Sequence, residues 1–135
     1  MCGIAGIIGK PERTEKYIDQ MVDVISHRGP DDRGTFKDAS FAFGMRRLSI
    51  IDIAHGKQPI SNEDGTITVV FNGELYNHLE LRAELKELGH IFKTESDTEC
   101  LVHGYEVWGK DLPKKLRGMF AFSIHDATKQ ILFIS

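Results

Sequence analysis

Strand-like segments often follow one another directly in this sequence, and this order limits the possible folds more than any other feature. Residues 35–51 are mostly extended, and residues 66–71 form a β-branched segment. Two further apolar segments, 119–124 and 131–134, flank the turn-forming sequence 126–129. A regular βαβ sheet needs a crossover helix between successive strands. The sequence therefore favours an α+β fold with mostly antiparallel neighbours.

Three segments have the spacing or the first residues of helices. The first predicted helix begins at Pro11, because apolar residues then recur at helical spacing. The other two begin near Asn77 and Ser96, which are each followed three residues later by Glu in the pattern of a capping box. We also predict a short strand over residues 90–94 and a short helical turn within residues 110–117.

Length and charge exclude several classes of protein. The 135 residues suit one domain with its own core. The chain has 17 Lys and Arg against 20 Asp and Glu, a net charge of −3, which argues against a nucleic-acid-binding domain. It has no apolar run of the roughly 18 residues that a membrane span needs. No basic residue precedes the apolar segment 2–9, as a signal peptide would require, so we expect a cytoplasmic protein.

The cysteine and histidine positions do not predict a disulfide scaffold or a metal site. Cys2 and Cys100 are the two cysteines. Cys100 lies beside Leu101 and Val102, so we expect it in the core. The six histidines stand well apart in the sequence, without the spacing of zinc ligands, and we predict no metal site.

Cys2 differs from Cys100 by its position. If Met1 is removed, Cys2 carries both a thiol and a free α-amine. An α-amine has a pKa of about 7.7–8.0 in model compounds, so it can be an unprotonated base near neutral pH. A base beside a nucleophile is the basic requirement of covalent catalysis.

Several residues suited to ligand binding occur in the loops at the ends of predicted strands. They are Arg28, Arg46, Arg47, Asn72, Gly73, Glu74 and Asp97. Singly, each has a structural interpretation: Asn72-Gly73 as a hairpin turn, Asp97 as a helix cap, Arg47 as a solvated residue. Together with Cys2 they suit an amidase that acts on an amino acid. Arginine binds an α-carboxylate, carboxylates bind an α-ammonium, and an amide side chain with a backbone N–H stabilises an oxyanion.

Six motifs, in the same order, resemble those of the class II glutamine amidotransferases, which are N-terminal-nucleophile hydrolases. They are residues 2–7 (CGIAGI), 27–32 (HRGPDD) with Gly34, 47–52 (RLSIID), 71–77 (FNGELYN), 96–99 (SDTE) and 118–122 (GMFAF). The HRGPDD motif resembles the asparagine synthetase branch rather than the aminosugar and purine branches. The resemblance extends over residues 1–135 and implies an αββα sandwich.

The resemblance implies a catalytic role for three residues. Cys2 is the expected nucleophile, with its own α-amine as base, and Asn72 and Gly73 are expected to form the oxyanion hole. The implied reaction is hydrolysis of glutamine to glutamate and ammonia through a γ-glutamyl thioester on Cys2.

The resemblance also assigns residues to glutamine binding. They are Arg47 for the α-carboxylate, Glu74 and Asp97 for the ammonium group, and Leu48 and Ile50 for backbone contacts. Arg28 and Asp31 lie in the arginine-containing loop of the family and are expected to organise the site. Arg46 has no counterpart role, so we predict that it is a surface or structural residue.

In full-length members of this branch, ammonia passes to a second domain that adenylates aspartate with ATP. The Ser-Gly-Gly phosphate loop of that synthetase domain does not occur in these 135 residues. We therefore expect ATP and Mg²⁺ only in a synthetase domain outside them, and no cofactor in this domain. Because the sequence ends on the apolar segment 131–135 where the family continues, we expect an incomplete domain whose exposed sheet edge favours a homo-oligomer.

Two other functions remain open at this point. The chain could be a catalytically silent fragment that binds glutamine or a partner subunit, and retention of Met1 would favour this. It could also be an amidotransferase that supplies ammonia to a different synthase.

Overall fold

The computed structural model describes residues 2–48 and 56–135 as a mixture of strands and helices. The strands are β1 (Gly3–Ile8), β2 (Asp32–Lys37), β3 (Phe41–Arg47), β4 (Ile60–Ser61), β5 (Ile67–Leu75), β6 (Gly118–Asp126) and β7 (Ile131–Ile134). The helices are α1 (Pro11–Val24), α2 (His78–Glu87), α3 (Asp97–Trp108) and α4 (Leu112–Lys115). Short 3-10 turns occupy Ser26–Arg28 and Gly109–Asp111. The predicted helices and the terminal hairpin are confirmed.

The strands form two antiparallel sheets that pack face to face. One sheet has the order β1-β3-β2 and the other the order β4-β5-β6-β7. Phe41, Phe43, Met45 and Val70 form the core between them. Helix α1 covers the outer face of the first sheet and α3 covers that of the second, while α2 packs on α3 and adds Leu81 and Leu85 to the same core. This succession of helix, sheet, sheet and helix confirms the predicted αββα sandwich.

Alternation along β3 explains why its two faces pack against different layers. Phe43 and Met45 point toward the second sheet, whereas Ala42 packs with Ile18 and Val22 of α1. Side chains of successive strand residues point to opposite faces, so one strand can serve two cores. A third core lies between the second sheet and its helices. It contains Cys100, which is fully buried, as the sequence predicts.

Arg46 has the structural role that the sequence predicts. Its Nη2 donates to Asp23 Oδ1 at 2.7 Å, and its Nε donates to the Val22 carbonyl at 3.2 Å. These bonds tie the end of α1 to β3. Its neighbour Arg47 points to the opposite face of the strand.

Two local predictions are wrong. Residues 90–94 do not form a strand, because the N–H groups of Lys93 and Thr94 donate to the side chain of Glu99 rather than to another strand. Helix α2 begins where predicted, but Asn77 does not cap it. The Asn77 side chain instead bonds to the backbone of Lys115 and Arg117.

Within the described ranges, none of the helices combines the length and the apolar character needed to cross a membrane.

Candidate active site

Cys2 lies at the start of β1, beside the end of β3. The Gly3–Arg46 pairing brings these two chain ends together. The Leu48 N–H donates to Cys2 Sγ at 3.4 Å, and Arg28 Nε donates to the Cys2 carbonyl at 3.2 Å. Arg28 thus fixes the backbone of the cysteine, and Leu48 offers its sulfur a hydrogen-bond donor.

An open cleft lies beside Cys2. Its lining residues are Cys2, Arg47, Leu48, Gln58, Phe71, Gly73, Glu74, Ser96, Asp97, Thr98 and Met119. Six of the eight predicted site residues are in this set. Of the other two, Asn72 lies next to Gly73 on β5, and its Oδ1 is buried without a hydrogen-bond partner in the described part of the chain. Ile50 lies outside the described residues.

Arg47 and Asp97 bring opposite charges to the cleft from two different layers. Arg47 ends β3 and is 5% exposed, whereas Asp97 begins α3 and is 6% exposed. Burying charged groups is costly unless they have partners. The interpretation of Arg47 as a solvated residue is therefore wrong. A guanidinium and a carboxylate that face one cleft offer complementary partners to an amino-acid zwitterion.

Burial raises the pKa of Asp97 above the usual value for aspartate. A hydrogen bond from the Leu75 N–H to Asp97 Oδ2, 3.0 Å long, opposes this effect by stabilising the carboxylate. Glu74 is exposed at the mouth of the cleft. Its negative charge also raises the pKa of Asp97, because it disfavours a second negative charge nearby.

Gly73 is required by the close approach of two strands. It pairs with Phe120, and a Cβ atom at Gly73 would lie 2.1 Å from the Met119 carbonyl oxygen. Asn72 and Gly73 lie within β5, so their interpretation as a hairpin turn is wrong. The strand instead carries both residues to the edge of the cleft.

Ser96 caps α3 and thereby positions Asp97. Its side chain accepts a hydrogen bond from the Thr98 N–H at 3.2 Å. The buried Arg82 of α2 holds the preceding loop, because its two terminal nitrogens donate to the carbonyls of Thr94 (2.7 Å) and Ser96 (3.1 Å). Asp97 is therefore the first residue of the helix and not its cap.

Gln58 is a cleft residue that sequence reasoning missed. Its Oε1 accepts from the Phe71 N–H at 2.7 Å, and its Nε2 donates to Thr98 Oγ1 at 3.2 Å, so it joins β5 to α3. A Cβ atom at Gly34 would lie 1.8 Å from the Gln58 carbonyl oxygen. Gly34, two residues beyond the HRGPDD motif, is the sequence feature that could have indicated this close approach of the segment around Gln58.

Known proteins resemble this chain in sequence over nearly its whole length. A family model described as "Glutamine amidotransferase domain" matches residues 1–135. Asparagine synthetase (glutamine-hydrolyzing) 1 of Bacillus subtilis (strain 168) is 46% identical over 138 residues, which cover 98% of this chain and 22% of that protein. Asparagine synthetase (glutamine-hydrolyzing) 1 of Arabidopsis thaliana is 40% identical over 129 residues, which cover 93% of this chain and 22% of that protein. The chain spans about a fifth of the length of these relatives.

The fold also has a solved counterpart. Glutamine phosphoribosylpyrophosphate amidotransferase from B. subtilis matches with a TM-score of 0.73 over 94% of this chain and 35% of that chain. The sequences are 24% identical, so this likeness concerns the fold alone. It agrees with the predicted α+β fold.

Proposed function

Because the chain belongs to the glutamine amidotransferase domain family, we propose that its cleft hydrolyses the side-chain amide of glutamine to glutamate and ammonia. The observation that carries this proposal is the meeting of Cys2 with Arg47 and Asp97 in one cleft. A thiol supplies the nucleophile, and the two charged groups suit the two ends of an amino acid.

Glutamine binds with its α-carboxylate on Arg47 and its α-ammonium between Glu74 and Asp97. Each end of the substrate then meets a buried group of opposite charge, as charge-assisted recognition of an amino acid requires. The Leu48 backbone lies beside the sulfur and lines the reacting end of the substrate. The role expected of Ile50 stays a prediction.

The reaction begins with the α-amine of Cys2, which is free once Met1 is removed. The amine takes the thiol proton, and the sulfur attacks the side-chain amide carbon of glutamine. Asn72 Nδ2 and the Gly73 N–H stabilise the resulting oxyanion. The C–N bond then breaks, and the proton held by the amine leaves with ammonia. A γ-glutamyl thioester remains on Cys2.

Water completes the cycle. The same amine removes a proton from water as its oxygen attacks the thioester carbon, and the C–S bond breaks. The thiolate recovers the proton, and glutamate leaves. This scheme needs no cofactor in the cleft, since the nucleophile, the base and the oxyanion donors all belong to the chain.

As the family resemblance implies, the ammonia is destined for the ATP-dependent amidation of aspartate, and the relatives are named as glutamine-hydrolyzing asparagine synthetases. ATP and Mg²⁺ belong to a synthetase domain outside residues 1–135. The reaction takes place in the cytoplasm. The protein works as a homo-oligomer, and β7, the last strand of its sheet in the described part of the chain, offers an edge for pairing with a second copy.

Release of ammonia and glutamate from glutamine tests the proposal. The full chain is first checked by intact mass for the loss of Met1. We expect turnover, and we expect Cys2→Ala to reduce it by about 10³-fold or more, because the nucleophile is lost. A form that keeps Met1 should also be inactive, since its Cys2 nitrogen is an amide and not a base.

Cys100→Ala is the matched control, because the other cysteine is buried in a core and does not line the cleft. It should keep the turnover of the unaltered chain. Undiminished turnover by Cys2→Ala would overturn the mechanism. Glutamine binding without turnover, in a chain that lacks Met1, would favour a non-catalytic binding module.

A further inference from the structure

Two histidines that are distant in sequence meet beside α3, outside the lining of the cleft. His103 Nδ1 lies 3.0 Å from Glu106 Oε2, and His90 Nδ1 lies 3.4 Å from the same oxygen. One ligand atom from each of the three residues lies within 4.8 Å of the others. The spacing of the histidines along the sequence does not predict this cluster.

These distances suit ligands of one small metal ion. A tetrahedral ion with nitrogen and oxygen ligands at about 2.0–2.2 Å places neighbouring ligand atoms roughly 3.3–3.6 Å apart. The separations of 3.0 and 3.4 Å lie close to that range, and the remaining pair lies within 4.8 Å, so side-chain adjustments bring the three atoms around one ion. Two ring nitrogens from separate segments thus converge on one carboxylate oxygen, an arrangement found in metal sites.

The surroundings of His103 provide a second, independent observation. Its side chain is nearly fully buried, at 1% exposure, and its Nε2 has no hydrogen-bond partner in the described part of the chain. Nε2 instead faces two carboxylates, with Glu99 Oε1 at 3.7 Å and Glu63 Oε1 at 4.0 Å.

Neither neutral form of the His103 ring satisfies both of its sides. If Nδ1 carries the proton and donates to Glu106, the Nε2 lone pair faces Glu99 and Glu63. If Nε2 carries the proton, the Nδ1 lone pair faces the Glu106 oxygen. A metal ion at Nδ1 is compatible with both sides of the ring, because Nε2–H is then directed toward the carboxylates, as in many histidine-metal sites.

The local charge also favours a cation. Glu63, Glu99 and Glu106 surround the two rings, and the ion pairs recorded for these glutamates are with histidine. Asn62 Nδ2 donates to Glu106 Oε1 at 2.9 Å, which leaves Oε2 for a ligand and fixes the carboxylate. His90 and Glu106 are partly exposed, so an ion and a water molecule have access.

We propose that His90, His103 and Glu106 bind a divalent transition-metal ion of the Zn²⁺ type, with water as the fourth ligand. Imidazole and carboxylate ligands suit Zn²⁺, Co²⁺ and Ni²⁺. The ion joins the segment after α2 to the second and third turns of α3, so it acts as a clamp on the helix that begins with Asp97. The site takes no part in glutamine hydrolysis, and the proposal does not depend on that activity.

The test uses the full chain after removal of metal with EDTA, in a Cys2→Ser background that removes a competing thiol ligand. Zn²⁺ and Co²⁺ are added separately, and stoichiometry, melting temperature and the Co²⁺ visible spectrum are measured. We expect one equivalent bound with a dissociation constant in the micromolar range or below, intense tetrahedral Co²⁺ bands, and a rise in melting temperature with Zn²⁺.

His90→Gln and Glu106→Gln each remove a partly exposed ligand and should weaken binding by about tenfold or more. His27→Gln is the matched control, because His27 is exposed and lies in a different part of the fold, and it should bind like the parent. Absence of binding at about 100 µM Zn²⁺ would overturn the proposal. So would ligand variants that lower the stability of the metal-free chain yet bind Zn²⁺ as tightly as the parent.

Discussion

Two adjacent arginines illustrate how much a single position in a strand decides. Arg46 points toward α1 and bonds to Asp23, whereas Arg47 points the other way and lines the cleft. They share the same residue type and the same strand, but the two-residue period of the strand gives them different functions. Arg46, to which the resemblance assigns no role, is the residue that holds α1 in place.

Because of Asp97, we expect the affinity for glutamine to fall at acid pH. Its carboxyl must be ionised to bind an ammonium group, and burial raises its pKa. We therefore expect glutamine affinity to fall as pH decreases through a value above the ordinary aspartate pKa of about 3.9. The KM for glutamine, measured as a function of pH, checks this.

The raised pKa of Asp97 also affects stability. Ionisation of this carboxyl is needed for glutamine binding, but it destabilises the folded chain. Folding favours the protonated form of this carboxyl, so ionised Asp97 costs stability at pH values above its folded-state pKa. Asp97→Asn should thus weaken glutamine binding and remove its fall at acid pH, while the unliganded chain melts no earlier than the parent at neutral pH. An unchanged KM in Asp97→Asn would contradict the role of this residue.

At the scale of elements, the cleft depends on how closely β5 and β6 approach. Met119 and Phe120 leave no room for a side chain at Gly73, which lines the cleft. The strand pair is also the most extensive in the fold, with partners from Ile67–Asp126 to Leu75–Gly118. A change at Gly73 should therefore affect both stability and catalysis.

Gly73→Ala should lower the free energy of unfolding by about 1–3 kcal/mol, because the added Cβ forces the two strands apart. Urea denaturation of the variant and the parent measures this loss. Gly9→Ala is the control, since a Cβ at Gly9 meets nothing within 4 Å, and its effect should be about 0.5 kcal/mol or less. Equal stability of the two variants would mean that β5 and β6 lie farther apart than described.

Sequence patterns predicted elements well where the stabilising contacts are local. The helix that begins after Ser96 followed from the cap, and the side chain of Ser96 does bond to the Thr98 N–H. The strand predicted over residues 90–94 was wrong although its contacts are also local, because bonds from N–H groups to the Glu99 side chain leave no periodic pattern in the sequence. Gln58 was missed for a different reason, since its partners Phe71 and Thr98 lie 13 and 40 residues away.

The candidate site followed from motifs rather than from periodicity. Charged residues such as Arg47 and Asp97 each have ordinary structural interpretations, and only their convergence in one cleft distinguishes them. The cluster of His90, His103 and Glu106, by contrast, has no motif in the sequence that would predict it. His90 and His103 have no metal-ligand spacing, and the turn of chain between α2 and α3 is what brings them together.

At the scale of the whole molecule, the two sheets share a core that also supports Cys2, the proposed nucleophile. Cys2 and Ile4 pack against the cluster of Phe41, Phe43 and Met45. The position of the sulfur is therefore tied to the packing between the sheets and not only to its hydrogen bond with Leu48.

Phe43 is the residue through which this packing is best tested. It is 2% exposed, and its ring lies 5.3 Å from that of Phe36 and 5.6 Å from that of Phe41. Phe43→Ala removes a buried ring and leaves a cavity, so the free energy of unfolding should fall by about 3–5 kcal/mol in urea denaturation. Ile91→Ala, at a residue that is 72% exposed, should change it by about 0.5 kcal/mol or less. A loss below about 1 kcal/mol in Phe43→Ala would contradict a closely packed core between the sheets.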